Sequence, residues 1–171
     1  MSDNSFLRWI ECDGGPHIMI EKSLIGLWEG IGNPKHYNAA CDVEDYIGLI
    51  PIGDGMGVVI GEDISRSTWI SYENNEGGFL LVLNYIKEGM KADTIIERIL
   101  SIDESLFEKT GLQVKINDNS IYLFAACDNG PNWMYERSEN CIIPGVYDIY
   151  TLESYSFDDC SFRVHRFKKE N

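Results

Sequence analysis

The groups in this chain that could do chemistry are three histidines, five cysteines and a surplus of carboxylates. A side-chain nucleophile needs a base beside it, and that base is most often histidine. His17 opens a strand-like run, His36 falls in a loop, and His165 sits in a basic C-terminal strand. No serine stands in a Gly-x-Ser-x-Gly elbow. Cys41 with His36 or His17 is the one thiol–imidazole pair worth weighing, against a buried cysteine and two surface histidines. Gly53-Asp54-Gly55-Met56-Gly57 has the glycines of a phosphate cradle, yet no Lys-Ser/Thr follows and the segment is acidic, so a hairpin loop is expected. Asp42-Val43-Glu44-Asp45 lacks the spacing and the glycine of a calcium loop. Cys12, Cys41, Cys127, Cys141 and Cys160 are odd in number and without Cys-x-x-Cys spacing. That argues against a disulfide framework and a zinc site alike, and predicts buried, reduced thiols in a reducing cytoplasm. Neither a cofactor nor a metal is expected, and no enzyme is indicated.

The elements that would position these groups are mostly strands. At 171 residues the chain fits a single domain spanning 1–171. Phe6–Cys12 and His17–Glu21 flank Asp13-Gly14-Gly15-Pro16 and read as a β-hairpin, with Gly14, Gly15 and Pro16 shaping its turn. Further strands are expected at Tyr46–Ile52, Gly57–Gly61, Thr68–Tyr72, Gly78–Ile86, Leu112–Ile116, Ile121–Ala126, Gly145–Leu152 and Ser161–Phe167, all rich in Val, Ile, Tyr and Phe. Ser23–Trp28 could form a single helical turn. One stretch, about 92–109, has a helical period, with Thr94 and Glu97 at capping-box spacing and Gly111 as a stop. Ser101 with Glu104 suggests a break near Ile102. The fold class is therefore α+β, a mostly antiparallel sheet with one main helix. Cys12-Asp13-Gly14-Gly15-Pro16 is echoed by Cys127-Asp128-Asn129-Gly130-Pro131. The echo reflects either two degenerate sheet repeats or the same turn chemistry reached twice.

Charge is the dominant compositional feature. Fourteen basic residues face 28 acidic ones, a net charge of −14. Between His36 and Phe79 the acids are Asp42, Glu44, Asp45, Asp54, Glu62, Asp63, Glu73 and Glu76, against Arg66 as the only Lys or Arg. Such a field repels nucleic acid and anionic lipid; it either steers a basic partner inward or serves solubility. No apolar run is long enough to cross a bilayer, and no signal-peptide pattern opens the chain. Trp9, Trp69 and Phe79 lie in strand-like runs and belong in the core by default. Trp28, Tyr37 and Trp133 fall near loops beside polar residues, where a large ring could anchor a partner.

The ordered series Trp9–Ile20 with its Gly-Gly-Pro, then Leu24, Trp28-Glu29-Gly30, Tyr37–Cys41, Gly48–Gly53, Gly57–Gly61, Thr68-Trp69 and Gly78–Val82 resembles the Imm21 (immunity protein 21) family of bacterial polymorphic toxin systems. The likeness covers the first half well and the second half weakly. His36 departs from it, standing where the family usually has an acid. The resemblance implies a cytoplasmic, non-catalytic immunity protein that binds and neutralises a cognate toxin domain, for instance a basic nuclease. The contacts expected are Asp42, Glu44, Asp45, Glu62, Asp63, Trp28 and Tyr37, while Trp9, Gly14, Gly15, Pro16 and Cys41 are structural parts of the motif. The alternative is a small-molecule-binding or regulatory β-rich domain.

Overall fold

The computed structural model describes residues 6–12, 14–61, 64 and 66–171. Among them, strands β1 (Ile10–Glu11), β2 (His17–Glu21), β3 (Ile47–Ile52), β4 (Gly55–Ile60), β5 (Arg66–Ser71), β6 (Gly77–Tyr85), β7 (Glu108–Ile116), β8 (Ser120–Ala125), β9 (Ser138–Cys141), β10 (Gly145–Phe157) and β11 (Cys160–Lys169) build two antiparallel sheets. Helices α1 (Pro34–Cys41) and α2 (Ala92–Leu100) complete the α+β fold expected from sequence. The first sheet runs β1-β5-β6-β11-β10-β7 and the second β3-β4-β2-β8-β9.

The inner faces pack together through residues such as Met19, Val58 and Leu123 of the second sheet against Trp69, Leu80, Tyr147 and Phe167 of the first. The outer face of the first sheet is covered by Ile95, Ile96 and Ile99 of α2, which meet Phe79, Leu81 and Phe162. On the outer face of the second, Trp28 and Ala40 meet Ile18, Ile20 and Phe124. Central strands are thus buried on both sides. This is why the centre of β2, Ile18–Ile20, and most of β6 are apolar without alternation.

Several local expectations are corrected. Phe6–Cys12 and His17–Glu21 do not form a hairpin. β1 pairs with β5, and β2 pairs with β4 and β8, so Gly14-Gly15-Pro16 carries the chain from one sheet to the other. Gly14 and Gly15 take φ of 115° and 86°, conformations that side chains disfavour. The helix expected over 92–109 ends at Leu100, and Glu108 and Lys109 begin β7. Asp103 stops it: its carboxylate accepts the Ser105 N–H at 2.9 Å and starts a 3-10 turn at Glu104–Leu106. Lys91, not Thr94, is the N-cap of α2, and Gly111 lies within β7 at φ 81°. Lys22–Leu27 forms the helical turn expected near Ser23–Trp28. Gly53-Asp54 joins β3 to β4 as a two-residue hairpin loop, with positive φ at Gly53 alone, the II′ arrangement.

Candidate interaction site

α1 was not foreseen. Asn33 caps it, its side chain accepting the Lys35 N–H at 3.1 Å, and Pro34 occupies the first turn. The helix ends at Asp42, and the following Val43–Gly48 segment enters β3, an edge strand of its sheet. Opposite lies β7, an edge of the other sheet. Its register against β10 slips: Gln113 faces Asp148 and Lys109 faces Tyr150, leaving Thr110, Gly111 and Leu112 opposite Ile149. The Thr110 hydroxyl donates to the Ile149 carbonyl at 2.7 Å and pins this bulge.

Between these two edges lies an open cleft of about 450 Å³. Glu44 and Asp45 line one wall, Glu108, Lys109 and Glu153 the other, with Tyr46 and Thr151 between them. Four carboxylates therefore face one lysine. Among the described residues none of the four joins an ion pair, because the arginines and lysines that pair do so elsewhere: Arg66 with Glu11, Lys169 with Glu76, Arg98 with Asp158, Arg8 with Glu136. Unpaired carboxylates gathered at a concave edge focus a negative potential. Behind them the Arg163 guanidinium lies over the Tyr46 ring, 3.3 Å from its centroid. His165, fully buried, shares a 2.8 Å hydrogen bond with Thr151; burial, with Arg163 adding to it, lowers its pKa to about 3, so the imidazole buried behind Thr151 is neutral.

The residues named from sequence are distributed unevenly about this cleft. Glu44 and Asp45 line it, and exposed Asp42 precedes them at the end of α1. Tyr37 lies further up α1 and turns inward. A β-carbon on Gly15 would come within 2.9 Å of its hydroxyl, and burial together with a hydrogen bond to Cys41 pushes its pKa up to about 12. Trp28 corrects the expectation of a surface anchor: its ring is fully buried, stacked on His36 at 5.1 Å, and its indole N–H donates to the Ala126 carbonyl at 3.0 Å. Trp9 is half-buried and stacks on Phe162. Glu62 and Asp63 lie outside the described residues, as does Asp13. Glu108, Lys109, Thr151 and Glu153 were missed as site residues, since nothing local to them marks a cleft wall.

The thiols also differ from expectation. Only Cys160 is buried; Cys12 and Cys127 are half-buried, Cys41 and Cys141 exposed. The imidazole of His17 meets Cys12, not Cys41, at 3.4 Å, and its other nitrogen meets Ser67 at 2.7 Å. Burial lowers the His17 pKa to about 4, which makes it a weak base at neutral pH. Among the described residues no group of three or more His, Cys, Asp or Glu is arranged to hold a metal ion. Among the described residues no helix is long and apolar enough to cross a membrane.

No curated protein and no solved structure matches the chain. A family model does match: residues 8–81, from just before β1 into β6 and including one wall of the cleft, fit that of Imm21, immunity protein 21, and bear out over that span the resemblance read from the sequence.

Proposed function

We propose that this protein is an immunity protein that neutralises a cognate bacterial toxin domain in the cytoplasm by binding it, without catalysing a reaction. The reading is carried by the acidic cleft where β3 meets β7 and β10, in which Glu44, Asp45, Glu108 and Glu153 outnumber the single lysine Lys109. A basic toxin, such as a nuclease, would present lysines and arginines that this edge attracts over distance and holds on contact. Asp42 extends the negative rim, and Tyr37 stands on the helix leading to it.

Co-expression with the protein encoded immediately upstream should restore growth that the upstream protein alone abolishes. The D42K/E44K/D45K variant should associate at least ~10-fold more slowly and with a flatter salt dependence, because steering by exposed charge acts mainly on the on-rate. No rescue, and no complex on a sizing column, would refute the proposal. A second reading, a small-molecule-binding β-rich domain, is favoured by the cleft volume of about 450 Å³. It predicts that a small cationic metabolite saturates the cleft and leaves the upstream protein unbound.

A further inference from the structure

At the far side of the second sheet, the segment between β8 and β9 places three large apolar residues in a row in solvent. Trp133 is 59% exposed, Met134 88% and Tyr135 46%. Consecutive exposed side chains of this size are a liability in a soluble protein unless something covers them.

The segment beneath them is built to hold one shape. Asp128, nearly inaccessible to solvent, accepts the backbone N–H groups of Asn129 (2.9 Å), Met134 (2.9 Å) and Tyr135 (3.1 Å). Arg137, also buried, pairs with Asp128 at 3.6 Å and donates to the carbonyls of Gly130 (2.8 Å) and Asn129 (2.9 Å). Its guanidinium is sandwiched among rings, 4.4 Å from the Trp133 centroid and 4.7 Å from that of Phe124. The Asn129 side chain accepts the Asn132 N–H at 2.8 Å, and the Gly130 N–H donates to the Trp28 carbonyl at 2.8 Å. A buried ion pair is costly to desolvate, and this one has its hydrogen bonds directed at the loop backbone. Its effect is to fix the loop before any contact is made, and preorganisation of that kind lowers the entropic cost of binding.

Charge selects the occupant. The chain as a whole carries 28 acids against 14 Lys and Arg, a net charge of −14, and the Arg137 charge beside the patch is consumed in the buried pair. Glu136, which directly follows the apolar triplet, pairs with Arg8 at 3.7 Å on the exposed surface. A second copy of the chain would bring another −14 against this edge, whereas a basic protein would be drawn to it.

We infer that Trp133-Met134-Tyr135 is a preformed apolar anchor, held by the Asp128–Arg137 pair, which inserts into a pocket on a basic protein partner. The inference rests on the proposed immunity function and adds a second contact point to it, opposite the acidic cleft. Aromatic and methionine side chains seated on a rigid support are the kind that dominate interface energetics. The anchor acts on residence time; the cleft acts on approach.

The test measures binding of the upstream-encoded protein to the full chain by surface plasmon resonance, comparing wild type, Trp133→Ala, Met134→Glu and D42K/E44K/D45K. Met134 is the safer probe, since its side chain is nearly free of the fold, whereas Trp133 touches Arg137. The expected result is a ~30-fold or greater rise in off-rate for Met134→Glu and Trp133→Ala, with the on-rate unchanged for Trp133→Ala and not lowered for Met134→Glu, whose added charge favours approach of a basic partner. Wild-type off-rates in Met134→Glu would overturn the anchor while leaving the immunity reading intact. Absence of any binding by wild type would overturn both. A wild-type dimer in sedimentation that Met134→Glu dissolves would assign the patch to a second copy and also overturn the inference.

Discussion

His17 and His165 are strand residues whose imidazoles are taken fully out of solvent, and burial lowers their pKa values from 6.5 to about 4 and about 3. Around His17 lie Cys12 and Ser67; around His165 lie Thr151 and the Arg163 guanidinium, none of which offers a negative charge to a protonated ring. Folding therefore requires both rings neutral. Above about pH 6.5 this requirement has little effect, because the unfolded chain also carries neutral histidine. As pH falls from there, the unfolded chain takes up protons that the folded chain refuses, and stability drops until each folded pKa is reached. The expected loss is about 2 kcal/mol per histidine between about pH 6 and about pH 4.5, read from urea midpoints across that range. His165→Gln and His17→Gln should each flatten the slope by that share, whatever they do at neutral pH. A slope unchanged in both variants would assign the acid sensitivity to the carboxylates.

Glycines decide how the elements meet. Gly130 lies against the 3-10 turn at Lys22–Leu27, so a β-carbon there would overlap the Ile25 carbonyl. Gly111, at the β7 bulge, has open space around it and only a positive φ of 81° to satisfy. Gly130→Ala should cost about 3 kcal/mol or more, as backbone has to move apart, and Gly111→Ala about 1 kcal/mol, the strain of a left-handed residue. Equal losses in chemical denaturation would contradict this contrast. These contacts were not legible in the sequence, where each glycine is read only as a turn or a stop. Strands carrying Val, Ile and Phe were legible because their side chains state their own burial. β9, Ser-Glu-Asn-Cys, was not, since it joins the sheet by backbone pairing with β8 and carries polar side chains. α1 is short and mostly polar, and its one signal was the Asn33-Pro34 cap. Trp28 looked exposed beside Glu29 and Gly30, yet its partner Ala126 stands 98 residues away. In the same way Glu44 and Asp45 could be named as acids, but the opposite wall of their cleft, Glu108 and Glu153, arrives through pairing that no local pattern encodes.

At the scale of the whole molecule, the two halves repeat one pairing scheme. In the first half β1 pairs with β5, β5 with β6, and β2 with β4; in the second β7 pairs with β10, β10 with β11, and β8 with β9. β3 is the one addition. The halves then meet like with like, β6 against β11 and β2 against β8, which gives each sheet its near-palindromic order. The two halves thus share one pairing scheme, but the Cys-Asp-x-Gly-Pro echo does not support reading them as two degenerate repeats. Cys12–Pro16 links β1 to β2 whereas Cys127–Pro131 follows β8, and the positive φ of Gly14 and Gly15 has no counterpart at Asn129 and Gly130. A consequence for stability follows from where the halves join. β2, β6, β8 and β11 are central strands largely buried on both faces, and splitting the chain would turn all four into exposed, unpaired edges. Residues 1–90 and 91–171 expressed separately should therefore show no cooperative unfolding transition. Mixed in equal amounts, they should regain the near-ultraviolet signal of buried Trp28, Trp69 and Tyr147. A cooperative transition in either half alone would mean that the halves are autonomous units and that the shared central pairs are a docking contact between them.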